Sequence, residues 1–210
     1  MKQLKELVMQ GKANDTVKRI KELLDKGAKP EVILKEALIP AMDEVGDLFQ
    51  KGEYYVPEML VAARAMKQGI EFLKPALVKA DLKPLGKVVM GTVKGDLHDI
   101  GKNLVIIALE GAGFEVIDLG TDVAPEKFVE VIKKDNPQVV GLSALLTTTM
   151  LSMKDTIEAI KKAGIRDKVK IMIGGATVRQ EFADEIGADF FGPDSTSARN
   201  FARNVVSREV

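Results

Sequence analysis

Cysteine is absent from the whole chain of 210 residues. That removes disulfides, thiolate zinc sites and thiol nucleophiles together. Histidine occurs once, at His98. One histidine without cysteine cannot build a zinc site from the usual nitrogen and sulfur ligands. There is also no excess charge of either sign, 31 basic residues facing 31 acidic ones. Nothing in that balance points to a polyanion such as nucleic acid. No segment approaches the roughly 20 continuous apolar residues of a membrane span. The opening Met1-Lys2-Gln3-Leu4-Lys5-Glu6 lacks the apolar stretch of a secretory signal. A cytoplasmic location is the default expectation. What remains is ordinary for a soluble globular protein: 46% hydrophobic and 30% charged residues. There is no internal repeat and no low-complexity tract.

Two periodicities divide the chain. Up to about Ala80 the pattern is helical. Leu4, Leu7 and Val8, then Val17, Ile20, Leu23 and Leu24, recur at spacings of three and four. Gly27 closes the second helix and Pro30 opens the next. The third is expected from Glu31 to Phe49, with Pro40 bending it. Lys51-Gly52-Glu53 makes a turn, and Pro57 starts a fourth helix. Asp81-Leu82-Lys83-Pro84-Leu85-Gly86 has the look of a linker. Beyond it, β-rich runs at Val88–Val93, Glu115–Leu119, Val139–Ser143, Val169–Ile173 and around Asp189-Phe190-Phe191 alternate with helical patterns. Those helices fall near 102–112, 125–135, 150–163, 178–187 and 195–207. The alternation argues a parallel sheet covered on both faces. The expected fold is α/β: a four-helix bundle cap over 1–83, then a flavodoxin-like (Rossmann-like) parallel five-stranded sheet over 84–210.

His98 falls in the loop between the first strand and the first helix of that sheet, in Gly95-Asp96-Leu97-His98-Asp99-Ile100-Gly101. Such loops open at the carboxyl edge, where these folds bind ligands. Imidazole is the commonest metal ligand, and Asp96 is near enough to orient the ring through its second nitrogen. Gly95 and Gly101 would let backbone approach something bulky. A metal held by His98 would need its other ligands from outside the chain, and a prosthetic macrocycle is the economical source. Two more clusters converge on the same edge: Ser143-Ala144-Leu145-Leu146-Thr147-Thr148-Thr149, and Gly174-Gly175-Ala176-Thr177. Hydroxyls, small residues and bare backbone describe a long slot. Threonines also cap helices, and paired glycines also make tight turns; both readings stay open.

Other uses of this architecture fit less well. A phosphate-binding loop needs Ser or Thr after Gly-Lys, and here Asn103 follows Gly101-Lys102, with Asp96 where the first glycine belongs. The dinucleotide fingerprint is missing from the first turn. A receiver domain would carry an aspartate at the end of the third strand, which reads Gly141-Leu142-Ser143. No Gly-x-Ser-x-Gly elbow supports a serine hydrolase.

Asp96-x-His98-x-x-Gly101, then Ser143-x-Leu145, then Gly174-Gly175 resembles the cobalamin-binding signature. Gly46-Asp47-Leu48-Phe49 and Tyr55-Val56-Pro57-Glu58-Met59 are similar to the helical cap of corrinoid methyl carriers and of cobalamin-dependent methionine synthase. The resemblance covers nearly the whole chain and implies a stand-alone corrinoid protein of a methyltransferase system. It implies a cobalamin or related corrinoid as cofactor, with methyl or aquo above the cobalt and His98 as the lower axial ligand. It places the buried nucleotide tail against Ser143 and Thr147, with room left by Gly174 and Gly175, and counts Gly101 and Leu145 among the cofactor-binding residues. Asp96 and Thr149 would form a hydrogen-bonded relay behind His98. Thr149 stands where the family often has serine. Phe49, Val56 and Met59 would shield the upper face, although bundle core is the simpler reading of those three.

The implied partners are a substrate-specific methyltransferase, a second methyltransferase acting on a thiol or tetrahydropterin acceptor, and a reductive activase. Neither nucleic acid nor membrane is implied. The chain would be a carrier that is not catalytic alone. Methylamines, methanol, glycine betaine and aryl methyl ethers all fit as donors, since specificity lies in the partner. The alternatives are the cobalamin subunit of an adenosylcobalamin mutase, which normally lacks the cap, and a cobalamin sensor. The light-sensing family carries tryptophan and histidine in its cap; this chain has no tryptophan and no second histidine.

Overall fold

In a computed structural model, which describes residues 1–80 and 84–207, the chain forms two compact units. One comprises Met1–Pro84 with Gly111–Gly113, the other Leu85–Glu110 with Phe114–Val210. Residues 81–83 of the expected linker lie outside the described residues.

The first unit is helical. α1 (Lys2–Met9) and α2 (Ala13–Asp25) precede a run over 30–50 made of α3 (Pro30–Ile33), a π-helical turn (Leu34–Leu38) and α4 (Ile39–Gln50). α5 (Val56–Lys79) completes it. α2 packs on α5, and α1 on α4. Leu4, Val8, Ile20, Leu38 and Leu73 are fully buried, which places the three-and-four spacing of the sequence on inward faces. The π turn is what sequence periodicity does not show. Pro40 has no N–H, and its ring would strike the carbonyl four residues back in a regular helix. The Ile39 N–H instead reaches the Leu34 carbonyl, one residue further, so the run continues through the proline. At the start of α5 the Glu58 carboxylate accepts the Tyr55 N–H at 3.0 Å, half of a capping box.

The second unit is a five-stranded parallel sheet in the order β2-β1-β3-β4-β5. Its strands are β1 (Lys87–Thr92), β2 (Glu115–Asp118), β3 (Val139–Ser143), β4 (Lys170–Gly174) and β5 (Phe190–Phe191). The connecting helices are α6 (Ile100–Gly111), α7 (Pro125–Asp135), α8 (Thr147–Lys162) and α9 (Gln180–Ile186), with α10 (Ser195–Ser207) at the end. β1 and β3 are buried almost throughout, as strands covered on both faces must be. Phe128, Leu142, Met153, Ile157 and Ile160 fill one side of the sheet without exposure. The expected elements of the sheet unit are all present, with ends displaced by at most three residues. The largest shift is α8, which starts at Thr147 and absorbs the threonine run into its first turn.

Register positions the site. Thr92 pairs with Ser143, and Ser143 with Gly174. The ends of β1, β3 and β4 therefore lie side by side along the carboxyl edge. Strand order reverses at β1, so the loops leaving β1 and β3 part around a crevice.

Candidate corrinoid site

The site is organised by Asp96. Its carboxylate is fully buried. Oδ1 accepts the His98 backbone N–H at 2.9 Å and the His98 ring Nδ1 at 2.8 Å. Oδ2 accepts the Leu145 N–H at 2.8 Å, the Leu146 N–H at 3.4 Å and the Thr149 hydroxyl at 2.6 Å. One side chain thus joins the loops after β1 and β3 across the switch point. Burial alone would raise the Asp96 pKa, but the hydrogen bonds from Thr149, the His98 and Leu145 amides and the imidazole outweigh it. They hold the carboxyl far below the ordinary carboxylate range.

An ionised Asp96 only accepts, so the bond to Nδ1 places the imidazole proton on Nδ1. In the neutral ring Nε2 then keeps its lone pair, and the His98 side chain is 52% exposed. This is the arrangement of a metal-ligating histidine: one nitrogen held by a carboxylate, the other free to bind. Among the described residues no cluster of three His, Cys, Asp or Glu side chains could hold a bare ion. A metal at His98 must bring its own remaining ligands, as a corrin ring does. On the loop of His98 and on the Leu146 that approaches Asp96, the chain exposes large apolar side chains: Leu97 at 72%, Ile100 at 73% and Leu146 at 44%. A flat apolar macrocycle suits such a surface. The residues present fit the group.

The remaining expected residues fall as follows. Ser143 ends β3, half-buried, and its carbonyl accepts the Val93 N–H at 3.0 Å. Leu145 binds Asp96 through its N–H and receives the Thr177 hydroxyl on its carbonyl at 2.9 Å. Thr147 is exposed at the first position of α8. None of the threonines caps that helix through its side chain. The Thr149 hydroxyl serves Asp96 instead. Gly101 lies inside the first turn of α6, not in the loop, and an added Cβ there would meet nothing within 4 Å. Gly95 does need to be glycine, with φ at +84°. Gly175 needs it more: φ is +137°, and a Cβ would lie 1.8 Å from the Ala144 carbonyl oxygen. Gly174 would bring a Cβ to 3.0 Å from the Gly192 oxygen. The glycine pair therefore has a reason within the chain's own packing. Phe49, near the end of α4, and Val56, at the start of α5, are half-buried. Met59 is 2% exposed.

Sequence reasoning missed several contributors. Buried Thr92 donates its hydroxyl to the His98 carbonyl at 3.0 Å. In the sequence Leu97 and Ile100 are only members of the His98 loop, and their exposure marks them. Buried Lys102 reaches Asp118 at 2.6 Å and Asn103 at 3.0 Å. Asp122, on the loop after β2, accepts the Gly95 N–H at 2.7 Å.

Similarity to known proteins agrees with this geometry. Residues 86–202 match the B12 binding domain, and residues 1–74 match a second B12 binding domain. The chain belongs to the corrinoid proteins of methyltransferase systems. Its cofactor is a cobalamin or related corrinoid. This corrinoid protein is 46% identical to trimethylamine corrinoid protein 2 of Methanosarcina mazei, over 84% of this chain and 82% of that one. It is 42% identical to the dimethylamine corrinoid protein of Methanosarcina barkeri, over 92% and 91%. Among solved structures it resembles a chain of the methanol:cobalamin methyltransferase complex of Methanosarcina barkeri, with a TM-score of 0.89 and 30% identity. That match covers 97% of this chain and 78% of the other. No helix among the described residues of the corrinoid protein is long and apolar enough to cross a membrane.

Proposed function

We propose that this corrinoid protein carries a methyl group from a methylamine-specific methyltransferase to a second methyltransferase acting on a thiol or tetrahydropterin acceptor. The observation that carries the reading is Asp96, bonded at once to His98 Nδ1 and to the Thr149 hydroxyl, which leaves His98 Nε2 as the nitrogen that would hold the metal. The bound corrinoid supplies a cobalt centre able to take up a methyl group from one partner and yield it to another. The chain's own residues do the rest. Asp96 holds the imidazole in the tautomer that presents Nε2. Thr149 holds Asp96 in place with its single hydroxyl hydrogen. An imidazole not engaged by the metal would be able to hold a proton at Nε2, and the Asp96 carboxylate would stabilise the resulting cation. Ser143, Thr147, Gly174 and Gly175 are assigned to the nucleotide tail, Gly101 and Leu145 to cofactor binding, and Phe49, Val56 and Met59 to shielding the cofactor's upper face. A cytoplasmic location and a reductive activase belong to the same proposal.

The choice of methylamine rests on similarity to trimethylamine and dimethylamine corrinoid proteins over more than four fifths of both chains. Methanol is the competing donor, at lower identity. The test incubates the reduced holoprotein with a trimethylamine, a dimethylamine or a methanol methyltransferase and its donor. Release of the demethylated amine, stoichiometric with cofactor, is expected with a methylamine enzyme. Consumption of methanol only would replace the donor class. No turnover with any of them would remove the carrier reading.

A further inference from the structure

The loop carrying Asp96 and His98 is anchored from one side by the loop that leaves β2, and Asp122 is the point of contact. The Asp122 carboxylate accepts the Gly95 N–H at 2.7 Å. Its own N–H donates to the Asp96 carbonyl at 2.9 Å. One residue thus grips the chain on both sides of Asp96, at the Lys94–Gly95 and Asp96–Leu97 peptide groups. It does so from a left-handed conformation, with φ at +54°, which aspartate tolerates better than most residues. In that conformation the backbone N–H and the side chain of Asp122 both turn toward the same stretch of chain.

The support behind Asp122 is itself fastened. The Gly120 carbonyl accepts the Thr92 N–H, and the Val123 N–H donates to the Thr92 carbonyl, each at 3.0 Å. Val93 and Val123 form a parallel bridge. The buried Lys102 ammonium and the Gly120 N–H hold Asp118 at 2.6 and 2.9 Å. The His98 side chain, by contrast, is half exposed, and its orientation depends on where Asp96 puts its carboxylate. A displacement of the Gly95–Asp96 backbone moves that carboxylate and the ring together.

We propose that Asp122 is a positioning residue for His98: it fixes the backbone from which Asp96 orients the imidazole. The proposal rests on the reading that His98 ligates cobalt, and its test separates the two. Three variants are made: Asp122→Gly, Asp122→Asn and Asp122→Ala. Glycine keeps the left-handed turn and loses the carboxylate. Asparagine keeps both the turn and an oxygen that can accept the Gly95 N–H. Alanine loses both.

Two measurements are taken. In the cofactor-free protein, NMR reads amide exchange at Gly95 and the fraction of His98 with its proton on Nδ1. In the holoprotein, absorbance reads the equilibrium between His98-bound and His98-free cobalt. Asp122→Gly is expected to speed Gly95 exchange, lower the Nδ1–H fraction and weaken ligation about 3–10-fold, the scale of one lost hydrogen bond. Asp122→Asn should restore most of each, and Asp122→Ala should be worse than glycine. If Asp122→Gly matches wild type in the cofactor-free protein, the turn alone matters and the proposal is overturned. If wild type shows no His98 on cobalt, the ligation reading fails, while the cofactor-free measurements still decide the role of Asp122.

Discussion

The two units present their candidate residues in opposite ways. In the sheet unit, Asp96 is buried and held by hydrogen bonds of defined direction, so its partners and the free nitrogen of His98 follow from geometry without a ligand. In the helical unit, Phe49, Val56 and Met59 carry apolar side chains, whose packing is non-directional. Polar sites are written into the resting fold because a buried carboxylate must be satisfied there. Apolar shielding leaves no comparable trace, since bundle core and cofactor cover use the same side chains.

The contrast can be broken first at its most rigid point. Gly175→Ala would force a Cβ into the Ala144 carbonyl and strain a positive φ. We expect a loss of about 3–5 kcal/mol in chemical denaturation, from overpacking and backbone strain together. A change under about 1 kcal/mol would show that the β3 and β4 loops yield easily, and would undo the picture of a rigid edge.

Asp96→Asn comes next. An amide sets an N–H₂ against groups that are already donors, so about 2–3 kcal/mol of stability should be lost near neutral pH. His98 ligation should weaken about 10–100-fold. The pH dependence has a defined sign. The folded Asp96 pKa lies below the unfolded value of about 3.9. Its contribution is therefore complete above that value and disappears as pH falls toward the folded one. The stability gap between wild type and Asp96→Asn should be widest above about pH 5 and narrow below about pH 4. A gap independent of pH would mean that Asp96 is not the ionised acceptor described.

The smallest effect is expected in the helical unit. Phe49→Ala should cost about 1–2 kcal/mol, less than a fully buried phenylalanine, because the residue is half-buried. If it shields the cofactor, the reduced holoprotein should also reoxidise faster in air at a temperature where the variant stays folded. Wild-type reoxidation with reduced stability would leave Phe49 as bundle core and sharpen the contrast between the units.

Legibility followed the same division. Asp96 and His98 stood out because a lone histidine two residues from an aspartate, at the end of a β-rich run, has few other uses. The parallel sheet could be expected from the alternation of strand and helix patterns. The start of α8 could not, because Thr147 and Thr148 are exposed and carry no apolar period. The π turn was invisible, since Pro40 alone suggests a bend, not an added backbone residue in the turn before it. Asp122 had no signal at all. Its partner Gly95 lies on a different loop, and only parallel pairing of β1 with β2 brings the two together. Leu97 and Ile100 carried no signal of their own, because an apolar residue in a loop shows its use only through its exposure.

The central claim is that the nitrogen beneath the cobalt belongs to His98, and the composition of the chain makes it unusually easy to test. His98 is the only histidine, so feeding histidine labelled with the heavy nitrogen isotope labels one side chain. The paramagnetic, one-electron-reduced holoprotein is then examined by electron paramagnetic resonance. If His98 is the ligand, each cobalt line changes from the three-line splitting of the common isotope to the two-line splitting of the heavy one. If the three-line splitting persists in labelled protein, the nitrogen comes from the cofactor's own base, and the Asp96–His98 pair is not an axial ligand site.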